Sequence, residues 1–206
     1  LSAEVRTRIA DTVARPLGAI RPLATGNDTT LWAIDVSDGR RLCAKCGGPG
    51  SRLDLEGRML RHLATAAPGL PVPAVLLAEP QLLVMTLIEA ADPLDPAAEA
   101  HAADLIAALH HETRAPRYGF PYDTLIGPLP QPNPESDDWI AFFRDHRLLG
   151  PARLAWEEGR LDQTLLGRLE RLGDRLPEQV RDLRDRYAEL IRERQRATER
   201  RARTSE

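Results

Sequence analysis

The sequence contains a single lysine, Lys45, although lysine and arginine together number 28. A cation that is lysine in such an arginine-rich chain suggests a need for a compact ammonium group rather than a planar guanidinium fork. Binding phosphate oxygens together with a nearby carboxylate is one such need. The simpler alternative is a chance survivor of an arginine-biased composition. The residues around Lys45 favour the functional interpretation.

Two strands and a helix are predicted around this lysine. Asp38-Gly39 indicates a hairpin turn, and the alternating residues 41–46 indicate the strand that follows it. Downstream, Glu56 lies in a segment whose apolar residues at 53, 55, 59, 60 and 63 indicate a helix. A strand lysine followed by a helix glutamate is the arrangement with which kinase-like folds hold the α/β-phosphates of ATP.

Composition and charge restrict the function classes. At 206 residues and 42% hydrophobic content, the chain can bury a core as one domain or as two small lobes. A net charge of −3 gives no overall basic field, so we expect no nucleic-acid partner. We find no apolar run long enough for a membrane span and no charged-then-apolar leader at the start, Leu1. We therefore expect a cytoplasmic protein without a membrane partner.

Cys43 and Cys46 form a Cys-x-x-Cys motif, for which a zinc or redox site is the competing interpretation. The sequence has no second cysteine pair, and the motif lies within a predicted strand rather than at a helix start. His110 and His111 are adjacent rather than four residues apart, so shared metal ligation is not expected. We predict two reduced thiols that flank Lys45, and no metal site.

The other predicted elements surround this region. Residues 1–14 indicate a short helix, and a turn that contains Gly26 joins the first two strands. This turn is suited either to cover phosphates with its backbone N–H groups or to act as an ordinary hairpin. The remaining predictions are strands at 20–23, 30–36, 74–78 and 81–88 and a helix at 97–112.

The central part of the chain carries four motifs in a fixed order. They are Tyr-Gly-Phe at 118–120, Ile-Gly at 126–127, Pro-Gln-Pro-Asn at 130–133 and Trp-x-x-Phe-Phe-x-x-x-Arg-Leu at 139–148. Together with Lys45 and Glu56, they resemble the fructosamine (ketosamine) kinase family, in the aminoglycoside phosphotransferase and choline kinase-like group. The resemblance extends over roughly residues 5–176.

The resemblance implies a protein kinase-like α+β fold. An N-terminal nucleotide-binding lobe with a mostly antiparallel sheet would occupy residues 1–88, a partial helical lobe 89–180 and a charged helical tail 181–206. Lys45 would hold the ATP phosphates with Glu56 as its partner. The adenine-binding hinge would consist of Met85, Thr86 and Leu87.

The resemblance also implies an activity. The family transfers the γ-phosphate of ATP, with magnesium, to a sugar hydroxyl of a ketosamine on an amine or a protein lysine, in protein deglycation. Its catalytic base and metal ligands come from a His-Gly-Asp loop and a later acidic motif, and none of the five histidines here is followed by Gly-Asp. We therefore assign no catalytic residue or metal ligand and expect little or no turnover.

Three explanations for the missing loop stay open. The chain is a truncated or frame-disrupted gene product, or a natural short relative, or a protein that receives catalytic residues from another chain. The alternative function is accordingly a non-catalytic module that binds a nucleotide or a partner.

The C-terminal part predicts a long amphipathic helix. Apolar residues recur at steps of three and four between positions 165 and 190, with Pro177 as a break or a helix start. This apolar stripe is suited to cover core or to form a homodimer. Residues 192–206 are nearly devoid of apolar side chains and are expected to fray. Upstream, Trp139, Phe142 and Phe143 are expected in the core of the helical lobe.

Overall fold

The computed structural model describes residues 1–26, 28–89, 95–127 and 129–204, with side chains up to residue 196 in the last range. The chain divides into two compact units, Leu1–Arg114 and Ala115–Glu206. The predicted boundaries at 88 and 180 stay predictions. None of the helices among the described residues combines the length and apolarity that a membrane crossing needs.

The first unit is built on a five-stranded sheet in which every neighbouring pair is antiparallel. The spatial order is β1-β2-β3-β5-β4, so that β3 lies at the centre. The strands are β1 (Leu17–Thr25), β2 (Thr29–Val36), β3 (Arg41–Gly47), β4 (Val75–Glu79) and β5 (Leu82–Thr86). The predicted strands are confirmed, with ends shifted by up to three residues.

Three helices belong to this unit: α1 (Ala3–Val13), α2 (Leu53–Ala66) and α3 (Pro96–Glu112). Ile9 and Val13 of α1 pack with Leu42 and Ala44 of β3 in one buried cluster. Because side chains alternate along a strand, Lys45 points to the opposite face of β3 from that cluster. The α1 helix thus covers one face of the sheet and leaves the Lys45 face to α2.

The α3 helix confirms the predicted helix but lacks a buried face. All of its residues are described and none is buried, and Ile106 is 49% exposed. Asp95 caps its first turn by accepting a hydrogen bond from the Ala98 N–H at 2.7 Å.

The second unit begins with a small hairpin and continues as helices. Strands β6 (Thr124–Ile126) and β7 (Leu129–Gln131) are antiparallel. The helices are α4 (Trp139–Phe143), a π-helical segment (Arg144–Leu149), α5 (Gly150–Glu157) and α6 (Gln163–Thr204). The Gly150 N–H donates to the Asp145 carbonyl five residues earlier, which is the wider π-helical bond.

Asn133 holds this hairpin together from a buried position, with 5% exposure. Its amide Nδ2 donates to the Tyr122 carbonyl at 3.0 Å and to the Thr124 hydroxyl at 2.9 Å. Its Oδ1 accepts from the Arg147 guanidinium, whose carbon lies 4.6 Å from the centre of the Phe142 ring. Two of the motifs, Pro-Gln-Pro-Asn and Phe-Phe-x-x-x-Arg, are therefore joined by one network.

Two expectations for this unit are wrong. Trp139 is 39% exposed and stacks on Phe143 at a ring distance of 5.1 Å, so it is not a core residue; Phe142 and Phe143 are half-buried. The α6 helix passes through Pro177 instead of breaking, because strong helix formers flank it and only one backbone hydrogen bond is lost. The backbone is helical to Thr204, and fraying from residue 192 stays a prediction.

Candidate functional site

Lys45 and Glu56 meet as the sequence predicts. The Lys45 Nζ donates to both carboxylate oxygens of Glu56, at 3.0 Å to Oε1 and 2.7 Å to Oε2. The lysine side chain is 23% exposed and the glutamate side chain 39% exposed. The ammonium is therefore held at one place by a bidentate contact and is still reachable from solvent.

The strand around Lys45 fixes the position of its Cα. Within β3, Lys45 pairs with Leu31 of β2 on one side and with Leu83 of β5 on the other. Leu83 is fully buried. A lysine on a strand hydrogen-bonded along both edges cannot shift without breaking two ladders of backbone hydrogen bonds, so its ammonium is preorganised.

Gly57 lets α2 pack close to the sheet, which positions the neighbouring Glu56. A Cβ at this glycine would lie 2.4 Å from the Ala78 Cβ and 3.1 Å from Leu83 Cδ1, so α2 approaches the sheet more closely than any side chain would permit. Leu53 and Leu55 are buried at the start of the same helix. This close packing brings the neighbouring Glu56 within reach of Lys45.

The turn with Gly26 lies at the same end of the sheet as Lys45. The Gly26 N–H donates to the Thr29 carbonyl at 2.8 Å, which closes the hairpin between β1 and β2. The Gly48 N–H donates to the Asp28 carbonyl at 3.3 Å and joins this turn to the loop after β3. Gly26 is exposed, and its role over phosphates stays a prediction.

The predicted hinge residues lie at the end of β5. The Thr86 N–H donates to the Ala74 carbonyl at 2.9 Å, and the Leu87 N–H donates to the Arg41 carbonyl at 3.0 Å. These two N–H groups are engaged within the first unit, so adenine contacts by Thr86 and Leu87 would use their carbonyl oxygens. Met85 pairs with Cys43 in the ladder. The hinge assignment stays a prediction.

Arg41 makes contacts near the predicted hinge that the sequence analysis did not anticipate. Its guanidinium forms ion pairs with Asp35 at 3.3 Å and with Glu89, two residues beyond Leu87. These pairs connect β2 and β3 to the segment that follows β5. No spacing signal identifies such a pair, whereas an isolated glycine inside a predicted helix, as at Gly57, does signal a close backbone approach.

The two thiols lie beside Lys45 in β3 and are free. Burial raises the pKa of both, and for Cys43 the neighbouring Lys45 offsets only part of this effect. Neutral thiols are poor nucleophiles and poor metal ligands. Across the described ranges, no group of three or more His, Cys, Asp or Glu side chains could hold a metal ion.

A separate concavity of about 600 Å³ lies between α1 and the turn that joins β4 to β5. An ion pair between Arg8 and Glu79 is part of its lining. It is lined by Glu4, Val5, Arg8, Cys46, Gly47, Glu79, Pro80, Gln81 and Leu82. Neither Lys45 nor Glu56 lines it, so it is distinct from the lysine–glutamate site.

Comparisons with known proteins concern the family and the fold. The sequence model described as fructosamine kinase matches residues 54–187, which is more than half of the chain and includes Glu56 but not Lys45. A protein of Synechocystis sp. named a probable ketoamine kinase is 46% identical over 43 residues, which are 21% of this chain and 15% of that protein.

Two solved structures are similar to most of this chain. One, from Thermobifida fusca and assigned as a fructosamine-3-kinase, superposes with a TM-score of 0.74 at 25% identity, covering 86% of this chain and 62% of that one. Another with the same assignment, from Haemophilus somnus, gives a TM-score of 0.69 at 21% identity, covering 84% and 60%. The chain thus spans about three fifths of the length of these solved relatives.

Proposed function

The chain belongs to the fructosamine kinase family, and we propose that its first unit binds ATP through Lys45 for phosphoryl transfer to the sugar hydroxyl of a ketosamine. The acceptor would be a glycated amine or a glycated protein lysine, and the biological role protein deglycation in the cytoplasm. The observation that carries the proposal is the bidentate contact of Lys45 with Glu56 on a kinase-like sheet.

The residues of the site fit a nucleoside triphosphate. Lys45 offers a point charge with three donors, and Glu56 uses at most two of them, so a phosphate oxygen can accept from the same ammonium. The partial exposure of this ammonium gives the phosphates access. ATP would supply the transferred γ-phosphoryl group, while Glu56 orients Lys45 toward the α/β-phosphates.

No observation supports magnesium binding in the way that the Lys45–Glu56 pair supports ATP binding. The described residues form no three-ligand cluster, and the 206 residues contain no His-Gly-Asp sequence. We therefore assign no metal ligand and no catalytic base. For the 206-residue chain by itself, we propose nucleotide binding with little or no turnover.

The second candidate is a non-catalytic nucleotide- or partner-binding module. This candidate is favoured because the lysine–glutamate pair is formed whereas the 206 residues contain no His-Gly-Asp sequence. The same apolar stripe of α6 that the sequence predicts as a homodimer surface, residues 165–190, would give such a module a protein partner.

Two assays on the same purified chain separate the candidates. Calorimetric titration with ATP, with and without magnesium, measures binding, and release of ADP in the presence of a synthetic fructosyl-amine measures transfer. Binding without ADP release supports the binding module, and acceptor-dependent ADP release supports the enzyme. A folded chain that binds no ATP at millimolar concentration, where even an interaction of about −4 kcal/mol is detected, contradicts the enzyme and the nucleotide-binding module and leaves only a partner-binding module.

A further inference from the structure

The chain leaves the sheet at the end of β5 as an exposed segment. Thr86 is the last residue of β5, and Ile88, two residues later, is 61% exposed. Glu89 is exposed as well, so apolar packing does not hold residues 88 and 89. The predicted adenine contacts use the carbonyl oxygens of Thr86 and Leu87. Polar contacts that order this segment before a ligand arrives would therefore favour base binding.

Arg41 contacts this segment in two ways. Its backbone carbonyl accepts a hydrogen bond from the Leu87 N–H at 3.0 Å, and its guanidinium forms an ion pair with Glu89. The Nε of the same guanidinium donates to Asp35 Oδ1 at 3.3 Å, and Asp35 is the residue opposite Arg41 in β2. Because guanidinium is a rigid planar fork, its anchor on the sheet at Asp35 also restrains the position of Glu89.

Arg41 lies on the face of β3 that carries Lys45. Side chains alternate along a strand, so Arg41, Cys43 and Lys45 share the face opposite the cluster with α1. Arg41 and Lys45 are four residues apart, which is about 13 Å along a strand. The predicted hinge lies at the Arg41 end, because Leu42 pairs with Thr86 in the ladder. A nucleotide whose phosphates contact Lys45 can therefore extend along β3 and place its base at the segment that Arg41 contacts.

We propose that Arg41 is a positioning residue for the nucleotide base. Its contacts with Leu87 and Glu89 set the place of the hinge carbonyl oxygens, and Asp35 keeps the guanidinium on the sheet. Arg41 acts through these residues and does not itself contact ATP. The inference deepens the proposed ATP binding and rests on it.

The test uses Glu89→Gln, because positioning and general electrostatics predict opposite results for this variant. The change removes a negative charge, which by itself favours binding of the ATP anion. Loss of the contact with Arg41 instead releases the segment. In calorimetric titration of the 206-residue chain, we expect the dissociation constant for ATP to rise about two- to fivefold, as for the loss of an exposed ion pair. The matched control, Glu79→Gln, removes the acid of the exposed Arg8 pair and does not weaken ATP binding.

A double-mutant cycle tests whether Arg41 and Glu89 act as one unit. Arg41→Gln raises the dissociation constant for ATP at least as much as Glu89→Gln, and the double variant shows no further rise. Inorganic tripolyphosphate, measured by its competition with ATP, binds Glu89→Gln as it binds wild type, because it has no base. A general loss of structure around the site would weaken both ligands. Urea unfolding confirms that each variant stays folded.

The outcomes separate this inference from the proposed function. If wild type binds ATP and Glu89→Gln binds it equally well or more tightly, the role of Arg41 is overturned, while nucleotide binding through Lys45 stands. Equal weakening of ATP and tripolyphosphate in Glu89→Gln also overturns that role alone. A folded wild-type chain that binds no ATP overturns both the role of Arg41 and the proposed nucleotide binding.

Discussion

Lys45 was predicted as a site residue from the composition of the chain, and the structure places its ammonium beside Glu56. The arginine bias of the chain made its single lysine conspicuous, and the strand–helix pattern supplied Glu56 as its partner. Gly57 was not singled out from the sequence, although an isolated glycine inside a predicted helix is a signal of close packing. A contact of 2.4 Å between hypothetical and real Cβ atoms depends on the three-dimensional approach of α2 and β4.

The thiols of β3 give a residue-scale prediction. Because burial raises the pKa of Cys43 and Cys46, both stay protonated at neutral pH. Their alkylation by iodoacetamide should be slower than that of free cysteine at pH 7 and should accelerate as the pH rises above about 8.5, the unperturbed thiol pKa. Mass spectrometry of timed samples measures the rates, with the urea-unfolded chain as control. Fast alkylation at pH 7 would contradict this account and reopen a redox role for the motif.

At the scale of elements, the distance between α2 and the sheet determines whether Glu56 reaches Lys45. Gly57→Ala inserts a methyl group against the Ala78 Cβ, so α2 must move away from the sheet. Overpacking costs about 1–3 kcal/mol, and the better helix propensity of alanine returns about 1 kcal/mol. We expect a net loss of about 1 kcal/mol in urea unfolding together with weaker ATP binding.

Gly69→Ala is the matched control for that variant. A Cβ at Gly69 would meet no atom within 4 Å, so its unfolding free energy should stay within about 0.5 kcal/mol of wild type. If Gly57→Ala were as stable as wild type and bound ATP equally well, close packing of α2 would not be what positions Glu56.

The β6–β7 hairpin depends on a buried polar residue rather than on apolar packing. In Asn133→Ala, the Tyr122 carbonyl, the Thr124 hydroxyl and the Arg147 guanidinium each lose a hydrogen bond. A hydrogen bond contributes about 0.5–1.5 kcal/mol and one to a charged group about 1.5–3 kcal/mol, so we expect a loss of at least about 2 kcal/mol in urea unfolding. The exposed amide variant Gln195→Ala should change stability little. Equal stability of the two variants would show that the network is dispensable.

The elements were more predictable than their surroundings. Strand and helix positions follow from local periodicity, and these predictions are confirmed along the first unit. Burial was harder, because it depends on which elements meet: Trp139 is exposed although its motif indicated a core residue, and α3 is helical without a buried face. Pro177 was misjudged because its local cost was weighed without the helix-forming residues on either side.

At the scale of the whole molecule, family membership and the lysine–glutamate pair both support the proposed nucleotide binding. The family model begins after Lys45, so the pair adds evidence from a part of the chain that this match does not include. The likeness to solved relatives covers most of this chain but only about three fifths of theirs. Nucleotide binding is therefore the part of the family's activity that can be tested on these 206 residues directly.

The most direct test is calorimetric titration of ATP into wild type, Lys45→Ala and Arg61→Ala. Arg61 is an exposed cation of α2 and serves as the control for loss of a positive charge. A charge-assisted hydrogen bond contributes about 1.5–3 kcal/mol, so Lys45→Ala should weaken binding at least about tenfold while Arg61→Ala binds as wild type. Unchanged ATP affinity in a folded Lys45→Ala variant would contradict the central claim that Lys45 holds the phosphates.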